Sequence, residues 1–332
     1  MRSLNFGLAG LVLAGTGRAA PAQTETNKLG AVSSENYICS QIGVGLLQAG
    51  GSAADAMVGT VFCVGVVAPY HSGIGGGGFM LVRGSNGSYE FIDFRETMPA
   101  AGTQDMYNNN TMASLIGGLA SGVPGELRGL EHLHQQYGKL PWATVMQPAI
   151  NLAENGFPVN EDTVSYFSEA ASEFVGTSNF LTQDPSWAID FAPNGTLLGI
   201  GDTLTRKRYA ATLQAIQKDG ADAFYDGPIA NATIQALNAA TPPGIMTLED
   251  LSNYSVAIQP PLSVNYRDFK ITSTSAPSSG EVVLSVMNTV AGYSEFGVPS
   301  DINVTTQRLD EAIRFAYGQV CFQFLTYCAS LT

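Results

Sequence analysis

The stretch Ser72-Gly-Ile-Gly-Gly-Gly-Gly-Phe79 separates a helical pattern from a strand pattern, and this order decides the fold class. Before it, residues 53–66 are apolar almost all round, as in a buried helix. After it, Phe79-Met-Leu-Val-Arg83 and Tyr89-Glu-Phe-Ile-Asp-Phe94 are typical of strands, and Ser85-Asn-Gly-Ser88 between them indicates a hairpin turn. Helices with an antiparallel hairpin, but without regular βαβ alternation, predict an α+β layered fold.

Local start signals predict further helices on both sides of the hairpin. The segment 34–49 carries apolar residues on one helical face, and Ser52-Ala-Ala-Asp55 indicates a capping box for the helix that follows. Pro124 and Pro141 are each predicted to open a helix, because proline suits the first helical position. The remaining expectations are helices at 124–137, 141–154, 280–292 and 309–317, with strand character at 262–274.

The glycine run matches the spacing of a dinucleotide-binding loop, but its context is reversed. A dinucleotide-binding loop needs a strand before it and a helix after it, whereas here a helix precedes and a strand follows. Glycines in this arrangement let the backbone pass close to a ligand or to another part of the chain. The candidate positions for a pocket lined by backbone are Gly75, Gly76, Gly77 and Gly78, and the alternative is a tight buried turn.

Arg95 is the strongest polar candidate for substrate binding. It follows the second predicted strand in Asp93-Phe-Arg-Glu-Thr97. A guanidinium group binds a carboxylate through two parallel hydrogen bonds, which fix both position and orientation. This segment therefore favours a site for a small anionic group. The alternative is a structural ion pair between Arg95 and Asp93 or Glu96.

Several other classes of site find little support in the sequence. His132 and His134 are two residues apart, so on a helix they point to different faces. Because the third histidine of the chain is the distant His71, no metal site is predicted. A serine hydrolase is not indicated, since no G-x-S-x-G motif is present. The net charge of −13 argues against nucleic-acid binding.

The first 22 residues are predicted to be a secretory signal peptide. Arg2 supplies the positive start, residues 4–13 form a short apolar run, and Ala20-Pro-Ala22 provides small residues for cleavage. The apolar run is too short to span a membrane. We therefore expect a secreted or cell-surface protein. The alternatives for the N-terminal segment itself are a disordered start or a short anchor.

Modification sites agree with export through the secretory pathway. In an oxidising compartment Cys39 and Cys63 are candidates for a disulfide, since they lie on two successive predicted helices. The alternative is two buried free thiols, and Cys321 and Cys328 lie near the end of the chain. The N-x-S/T sequons that are candidates for glycosylation are Asn86, Asn109, Asn194, Asn231, Asn253 and Asn303.

Residues 31–319 carry a series of ordered motifs. They are Gly50-Gly-Ser-Ala-Ala-Asp-Ala56, Ser72-Gly-Ile-Gly-Gly-Gly-Gly-Phe79, Asp93-Phe-Arg-Glu-Thr-Met-Pro99, Gly122-Val-Pro-Gly-Glu-Leu-Arg-Gly129, Tyr137-Gly-Lys-Leu-Pro-Trp142, Gln147-Pro-Ala-Ile150, Asn155-Gly-Phe-Pro-Val159 and Glu311-Ala-Ile-Arg-Phe-Ala-Tyr-Gly318. In this order they resemble the large subunit of γ-glutamyltransferases, also called glutathione hydrolases. The resemblance implies an N-terminal-nucleophile hydrolase with an αββα four-layer sandwich, of which these residues form the large-subunit part.

The resemblance implies an activity and a precursor. Members cleave the γ-glutamyl amide of glutathione and its conjugates through a γ-glutamyl-threonine intermediate. The acyl group then passes to water or to amino-acid or dipeptide acceptors, with no metal or organic cofactor. The precursor cuts itself in two, and the new N-terminal threonine of the small subunit becomes the nucleophile, with its own α-amine as base.

The resemblance also implies roles for particular residues. By motif position, Arg95 binds the α-carboxylate of the γ-glutamyl group, which agrees with the two-bond recognition of carboxylates by guanidinium. Glu96 is expected to help position Arg95, and Gly75 to Gly78 are expected to line or support the pocket. Eukaryotic relatives carry a disulfide between their first helices, which favours the Cys39–Cys63 pairing.

The resemblance stops after Gln319. Residues 23–319 are predicted to form the large-subunit-like domain, and residues 320–332 an apolar, cysteine-bearing tail without the family pattern. Thr326 and Thr332 stand too near the end of the tail to replace the nucleophilic threonine that leads a small subunit. We therefore expect this chain to be inactive alone, and a gene-model error is the expected cause of the truncation.

Two alternatives to a glutathione hydrolase remain open at this point. A related acylase that hydrolyses glutaryl or cephalosporin side chains would share the fold and the self-processing. A truncated chain that turns nothing over is the non-enzymatic alternative, and the abrupt tail favours it.

Overall fold

The computed structural model describes the backbone of residues 30–173 and 179–330, and the side chains of residues 30–170 and 179–319. The predicted signal peptide, residues 1–22, lies outside these ranges, as does Thr332. The helices are α1 (Tyr37–Gln48), α2 (Ala53–Val67), α3 (Glu126–Tyr137), α4 (Trp142–Asn155), α5 (Glu161–Glu173), α6 (Phe180–Gln183), α7 (Pro185–Phe191), α8 (Lys207–Asp219), α9 (Asp222–Tyr225), α10 (Gly227–Ala239), α11 (Leu248–Ser252), α12 (Gly280–Val290) and α13 (Ile302–Ser330).

The strands form three small antiparallel sheets. They are β1 (Phe79–Arg83), β2 (Tyr89–Asp93), β3 (Phe157–Pro158), β4 (Thr203–Leu204), β5 (Ala257–Gln259), β6 (Leu262–Tyr266) and β7 (Phe269–Ser273). The largest sheet has the order β1-β2-β5, and the other two are the pairs β3-β4 and β6-β7. In the first hairpin Phe79 is opposite Asp93 and Arg83 is opposite Tyr89, so the predicted hairpin is confirmed. Mixed helices and antiparallel strands give the α+β class that the sequence predicts.

Most of the core is built around α2. This helix packs against α1, α3 and α4, and its side chains Val58 and Phe62 are fully buried. The nearly continuous apolar surface of α2 explains this position, because a helix without a polar face has no side to present to water. A second, smaller cluster lies between α12 and α13 and contains Val282, Val286 and Ala312.

The ends of three predicted helices differ from the expectation for local reasons. The first helix begins at Tyr37 because the side chain of Asn36 accepts the amide N–H of Ile38 and so acts as the N-cap. The helix expected from Pro124 begins at Glu126, and the backbone N–H groups of Gly125 and Glu126 both donate to Gly76 O. The last helix is much longer than the predicted 309–317 and continues across residues 319 and 320.

Residues 262–274 form two strands rather than one strand-like segment. β6 and β7 pair directly, and Tyr266 is opposite Phe269. Arg267, in the two-residue turn between them, has a φ of 54°, in the left-handed region that such hairpin turns require. The turn carries no glycine or asparagine, so the usual sequence signal for a hairpin is missing there. In the described ranges, no helix combines the length and apolarity that crossing a membrane needs.

A disulfide joins α1 to α2. Cys39 Sγ and Cys63 Sγ are bonded at 2.00 Å, and both residues are fully buried. The bridge closes a loop with a sequence separation of 24. The disulfide therefore holds α1 against α2, the helix at the centre of the core.

Removing both sulfur atoms is expected to lower the free energy of unfolding. A Cys39→Ala/Cys63→Ala variant should lose about 3 kcal/mol, because a loop of this length is no longer closed in the unfolded chain. The measurement is the urea unfolding midpoint of the oxidised protein and the double variant. Equal midpoints and slopes for the two proteins would show that the bridge does not contribute to stability.

Candidate functional site

The glycine loop, Ser72–Gly78, connects the end of α2 to the start of β1. It turns back on itself through a hydrogen bond from Gly76 N–H to Gly73 O of 2.8 Å. It then joins the sheet, since Gly78 and Phe94 exchange backbone hydrogen bonds of 3.3 and 3.0 Å. The loop therefore extends the β1-β2 hairpin by one residue pair and lies directly beside the residue before Arg95.

Gly77 has no space for a side chain. A Cβ atom added there would lie 2.4 Å from Phe94 O, 2.9 Å from Glu96 N and 3.0 Å from Arg95 Cα. Real Cβ atoms do not approach backbone atoms so closely, and backbone cannot move aside as a flexible side chain can. This position therefore requires glycine because the loop packs on the backbone of Arg95.

The guanidinium of Arg95 is exposed and has no ion-pair partner among the residues that the structure describes. Its carbon lies 5.8 Å from the centroid of the Phe79 ring. Asp93 accepts a hydrogen bond from the backbone N–H of Arg95 at 3.1 Å, rather than from its side chain. The structure thus shows neither of the ion pairs, to Asp93 or to Glu96, that would have given Arg95 a purely structural role.

Tyr254 fixes the backbone of Arg95 from a distant part of the sequence. Its hydroxyl donates to Arg95 O at 2.8 Å. Burial, together with the nearby charges of Asp93 and Glu96, raises the pKa of Tyr254 to about 12. The phenol is therefore a permanent donor at neutral pH. Sequence reasoning missed this residue, since nothing local distinguishes it from an ordinary core tyrosine.

Glu96 lies on the rim of a pocket of about 330 Å³ beside the glycine loop. A Cβ atom on Gly76 would lie 3.5 Å from Glu96 Oε1, so carboxylate and loop are close neighbours. The structure brings Arg95, Glu96 and the glycine loop together, as predicted from the sequence. The pocket is lined by Pro69, Tyr70, His71, Ser72, Gly73, Gly75, Gly76, Gly77, Glu96 and Glu126.

Glu126 is a buried carboxyl group in the wall of this pocket. It is only 4% exposed, and its Oε2 atom accepts from Ser72 Oγ at 2.7 Å and from Gly73 N–H at 3.2 Å. Burial raises its pKa, although these two bonds lower it, and the neighbouring charge of Glu96 raises it further. The largest cause of the shift is burial. The sequence places Glu126 within a family motif but indicates no role for it.

The raised pKa of Glu126 predicts a pH dependence of stability. A proton binds more tightly to this carboxyl in the folded state than in the unfolded state. In the unfolded state the pKa of Glu126 is close to the ordinary 4.5. Its contribution to stability is therefore complete below about pH 4.5 and is lost as the pH rises through the folded pKa. In Glu126→Gln this loss should be absent, because the amide does not titrate.

Urea unfolding of the parent protein and Glu126→Gln between pH 4 and pH 8 measures this effect. The difference in the free energy of unfolding between the two proteins should shift in favour of the variant as the pH rises. A constant difference across the range would contradict a raised pKa for Glu126.

The three histidines bind separate partners. His132 Nε2 lies 3.0 Å from Glu90 Oε1, His134 Nε2–H donates to Leu140 O at 2.8 Å, and His71 Nδ1 contacts Glu35. His132 and His134 therefore point apart, as their spacing predicts. In the described part of the chain, no group of three or more histidine, cysteine or acidic side chains is arranged to hold a metal ion.

All six sequon asparagines are exposed. Asn86 lies at the tip of the first hairpin, where its Oδ1 accepts from Ser88 N–H at 2.9 Å. Asn231 lies inside α10, where its amide donates to Gly227 O at 2.7 Å. Exposure meets the first requirement for glycosylation, and the use of these sites stays a prediction.

Comparison with known proteins places this arrangement in a family. The sequence model of the gamma-glutamyltranspeptidase family matches residues 39–321. A glutathione hydrolase proenzyme of Arthroderma benhamiae is 53% identical over 313 residues, which are 91% of this chain and 53% of that protein. A glutathione hydrolase of Aspergillus flavus is 51% identical over 294 residues, which are 89% of this chain and 48% of that protein. The chain thus spans about half the length of these relatives.

Solved structures agree with the sequence matches. The crystal structure of Helicobacter pylori gamma-glutamyltranspeptidase matches with a TM-score of 0.80 and 33% identity, and the match covers 88% of this chain and 83% of that one. A cephalosporin acylase from Bacillus halodurans matches with a TM-score of 0.74 and 25% identity, over 90% and 56% of the respective chains. The fold is therefore the α+β fold of the N-terminal-nucleophile hydrolases, and the chain belongs to the gamma-glutamyltranspeptidase family.

Proposed function

We propose that this protein cleaves the γ-glutamyl amide of glutathione and its conjugates, and passes the γ-glutamyl group to water or to amino-acid or dipeptide acceptors. The observation that carries the proposal is the exposed guanidinium of Arg95, which has no ion-pair partner in the described residues while its backbone is held on both sides. An exposed cation on a fixed backbone, with no ion pair of its own to break, is available to bind the α-carboxylate of a γ-glutamyl group. The two fungal relatives, which are glutathione hydrolases by name, support this choice of substrate.

The nucleophile is proposed to come from a polypeptide segment outside residues 1–332. Its N-terminal threonine hydroxyl attacks the γ-glutamyl carbonyl, the C–N bond breaks, and the leaving amine takes up the proton. Water or an acceptor amine then attacks the resulting ester and releases the threonine. The proenzyme names of relatives that are about twice the length of this chain support a second segment from the same precursor.

Glu96 is proposed to favour a γ-glutamyl group over a simple glutaryl group. Both groups carry a carboxylate for Arg95, but only the γ-glutamyl group also carries an α-ammonium. Glu96 adjoins Arg95 in the sequence and lies on the rim of the same pocket as the buried Glu126. A negative rim attracts the ammonium group and gives a glutaryl group no added interaction.

The related acylase stays as a second candidate because of the likeness to the Bacillus halodurans enzyme. The test is chromophore release from γ-glutamyl-p-nitroanilide and from glutaryl-p-nitroanilide by the protein together with the threonine-led segment of its precursor. We expect turnover of the γ-glutamyl compound in clear preference. A preference for the glutaryl compound would support the acylase, and no release from either compound would support a non-catalytic chain.

We further propose that the protein is exported through the secretory pathway. The disulfide between Cys39 and Cys63 and the exposure of all six sequon asparagines support this location. The check is the N-terminal sequence of the protein recovered from the culture medium, which should begin near residue 23. Protein that stays inside the cell with Met1 retained would argue against export.

A further inference from the structure

Glu126 holds both ends of the turn in the glycine loop. Its side chain accepts from Ser72 Oγ and from Gly73 N–H. At the other end of the turn, the backbone N–H groups of Gly125 and Glu126 both donate to Gly76 O, at 2.8 and 2.9 Å. The side chain and the backbone of one residue at the start of α3 therefore fix the entry and the exit of the turn.

The turn of the glycine loop also fixes the strand end that carries Arg95. Beyond Gly76, the backbone of Gly77 packs against Phe94 O and Arg95 Cα so closely that a Cβ atom would not fit. The next residue, Gly78, exchanges two hydrogen bonds with Phe94. A displacement of the turn therefore cannot be absorbed locally, because close-packed backbone transmits it to the neighbouring strand.

Arg95 depends on this backbone for its position. Its guanidinium pairs with no carboxylate in the described residues and lies 5.8 Å from the centroid of the Phe79 ring. Glu126 makes no ion pair with Arg95 either, and its hydrogen-bond partners are Ser72 and Gly73. Any influence of Glu126 on Arg95 therefore passes through the backbone of the glycine loop.

We propose that Glu126 is a positioning residue that sets the place of Arg95 through the glycine loop. A buried carboxyl group with an unpartnered oxygen, Oε1, costs stability, so this position is an expensive place for an acid in a purely structural role. The effect on Arg95 itself follows from the geometry alone. Its consequence for substrate binding rests on the proposed function.

Amide hydrogen exchange of the 332-residue chain tests the mechanical link without any catalytic activity. Glu126→Ala removes the acceptor for Ser72 and Gly73, so the Gly78 and Phe94 amides should exchange roughly tenfold faster. Glu126→Gln keeps one acceptor oxygen and should stay near the parent rate. Glu131→Gln is the matched control, because it changes an acid on the same helix whose partners are Arg128 and the backbone N–H of Ala221, away from the glycine loop.

Unchanged exchange at Gly78 and Phe94 in Glu126→Ala would overturn the proposal. So would equally faster exchange throughout the chain, since that would show a general loss of stability. Faster exchange confined to the glycine loop and the strand end, and restored in Glu126→Gln, is the supporting result.

Kinetics with two donors then test whether the link acts through Arg95. The donors are γ-glutamyl-p-nitroanilide and 4-aminobutyryl-p-nitroanilide, which lacks only the α-carboxylate. Glu126→Ala should lower kcat/KM for the first donor roughly ten- to a hundredfold, mainly through KM, because a small misplacement of a binding group is costly. It should change kcat/KM for the second donor less than about twofold, since Arg95 has nothing to bind there.

An equal loss of kcat/KM for both donors would overturn a role through Arg95. If the parent protein together with the threonine-led segment of its precursor releases chromophore from neither donor, the proposed function fails. The hydrogen-exchange result still decides the proposal about Glu126 in that case.

Discussion

Arg95→Ala is expected to reduce kcat/KM for a γ-glutamyl donor by roughly a hundredfold or more. A two-bond contact between guanidinium and carboxylate consists of charge-assisted hydrogen bonds, each of which contributes about 1.5–3 kcal/mol. The loss should appear chiefly as a higher KM, because the contact exists before and during the reaction. The measurement is steady-state release of the chromophore by the processed protein.

Two further readouts separate a binding role from a structural one. The side chain of Arg95 is exposed and has no ion pair in the described residues, so the free energy of unfolding should change by less than about 1 kcal/mol. Arg95→Lys keeps the charge but loses the planar fork, and should fall between the parent and the alanine variant. An unchanged KM in Arg95→Ala, or an unfolded protein, would contradict a role in carboxylate binding.

Asp55→Ala is expected to be the most destabilising single change, at about 3–5 kcal/mol, because three backbone donors share this acceptor. The carboxylate is completely buried. It accepts a hydrogen bond from Ser52 N–H at 2.7 Å within the capping box of α2. It also accepts hydrogen bonds from Lys139 N–H at 2.9 Å and Leu140 N–H at 3.3 Å, in the connection between α3 and α4. Alanine leaves three partly buried backbone donors without the acceptor that they share, which is the costly case for a hydrogen bond.

Urea unfolding measures the effect, with Asp202→Ala as the control. Asp202 also accepts a backbone N–H, that of Gly199 at 2.8 Å, but it is exposed to water. Water can replace an exposed acceptor, so the control should lose less than about 1 kcal/mol. A loss in Asp55→Ala no larger than in Asp202→Ala would show that the connection between α3 and α4 does not depend on Asp55.

The predictions that the structure confirms rest on signals within a few residues. The hairpin of β1 and β2 follows from alternating strands around Asn86-Gly87, and the turn fixes the register that places Arg95 beside the glycine loop. The capping box of Ser52 and Asp55 is formed by both reciprocal hydrogen bonds. Local chemistry of this kind can be seen in the sequence without knowledge of the fold.

The missed elements depend on distant contacts or on turns without glycine. Glu126 contacts Ser72 across 54 positions, and Tyr254 contacts Arg95 across 159, so no local pattern identifies either one. β5 is only three residues long, and its place in the sheet is set by its pairing with β2. The family motifs located Arg95, Glu96 and the glycine loop, whereas the residues that hold them required the structure.

The hydrogen bond from Tyr254 to Arg95 O imposes an order on the biosynthesis of the site. A ribosome adds roughly 5–20 residues per second, and Tyr254 and the following strand β5 leave it long after the hairpin of β1 and β2. Until then, one edge of β2 and the carbonyl of Arg95 have no partner from this chain. The hairpin can form early, but the arginine reaches its final position only after residue 259 has been translated.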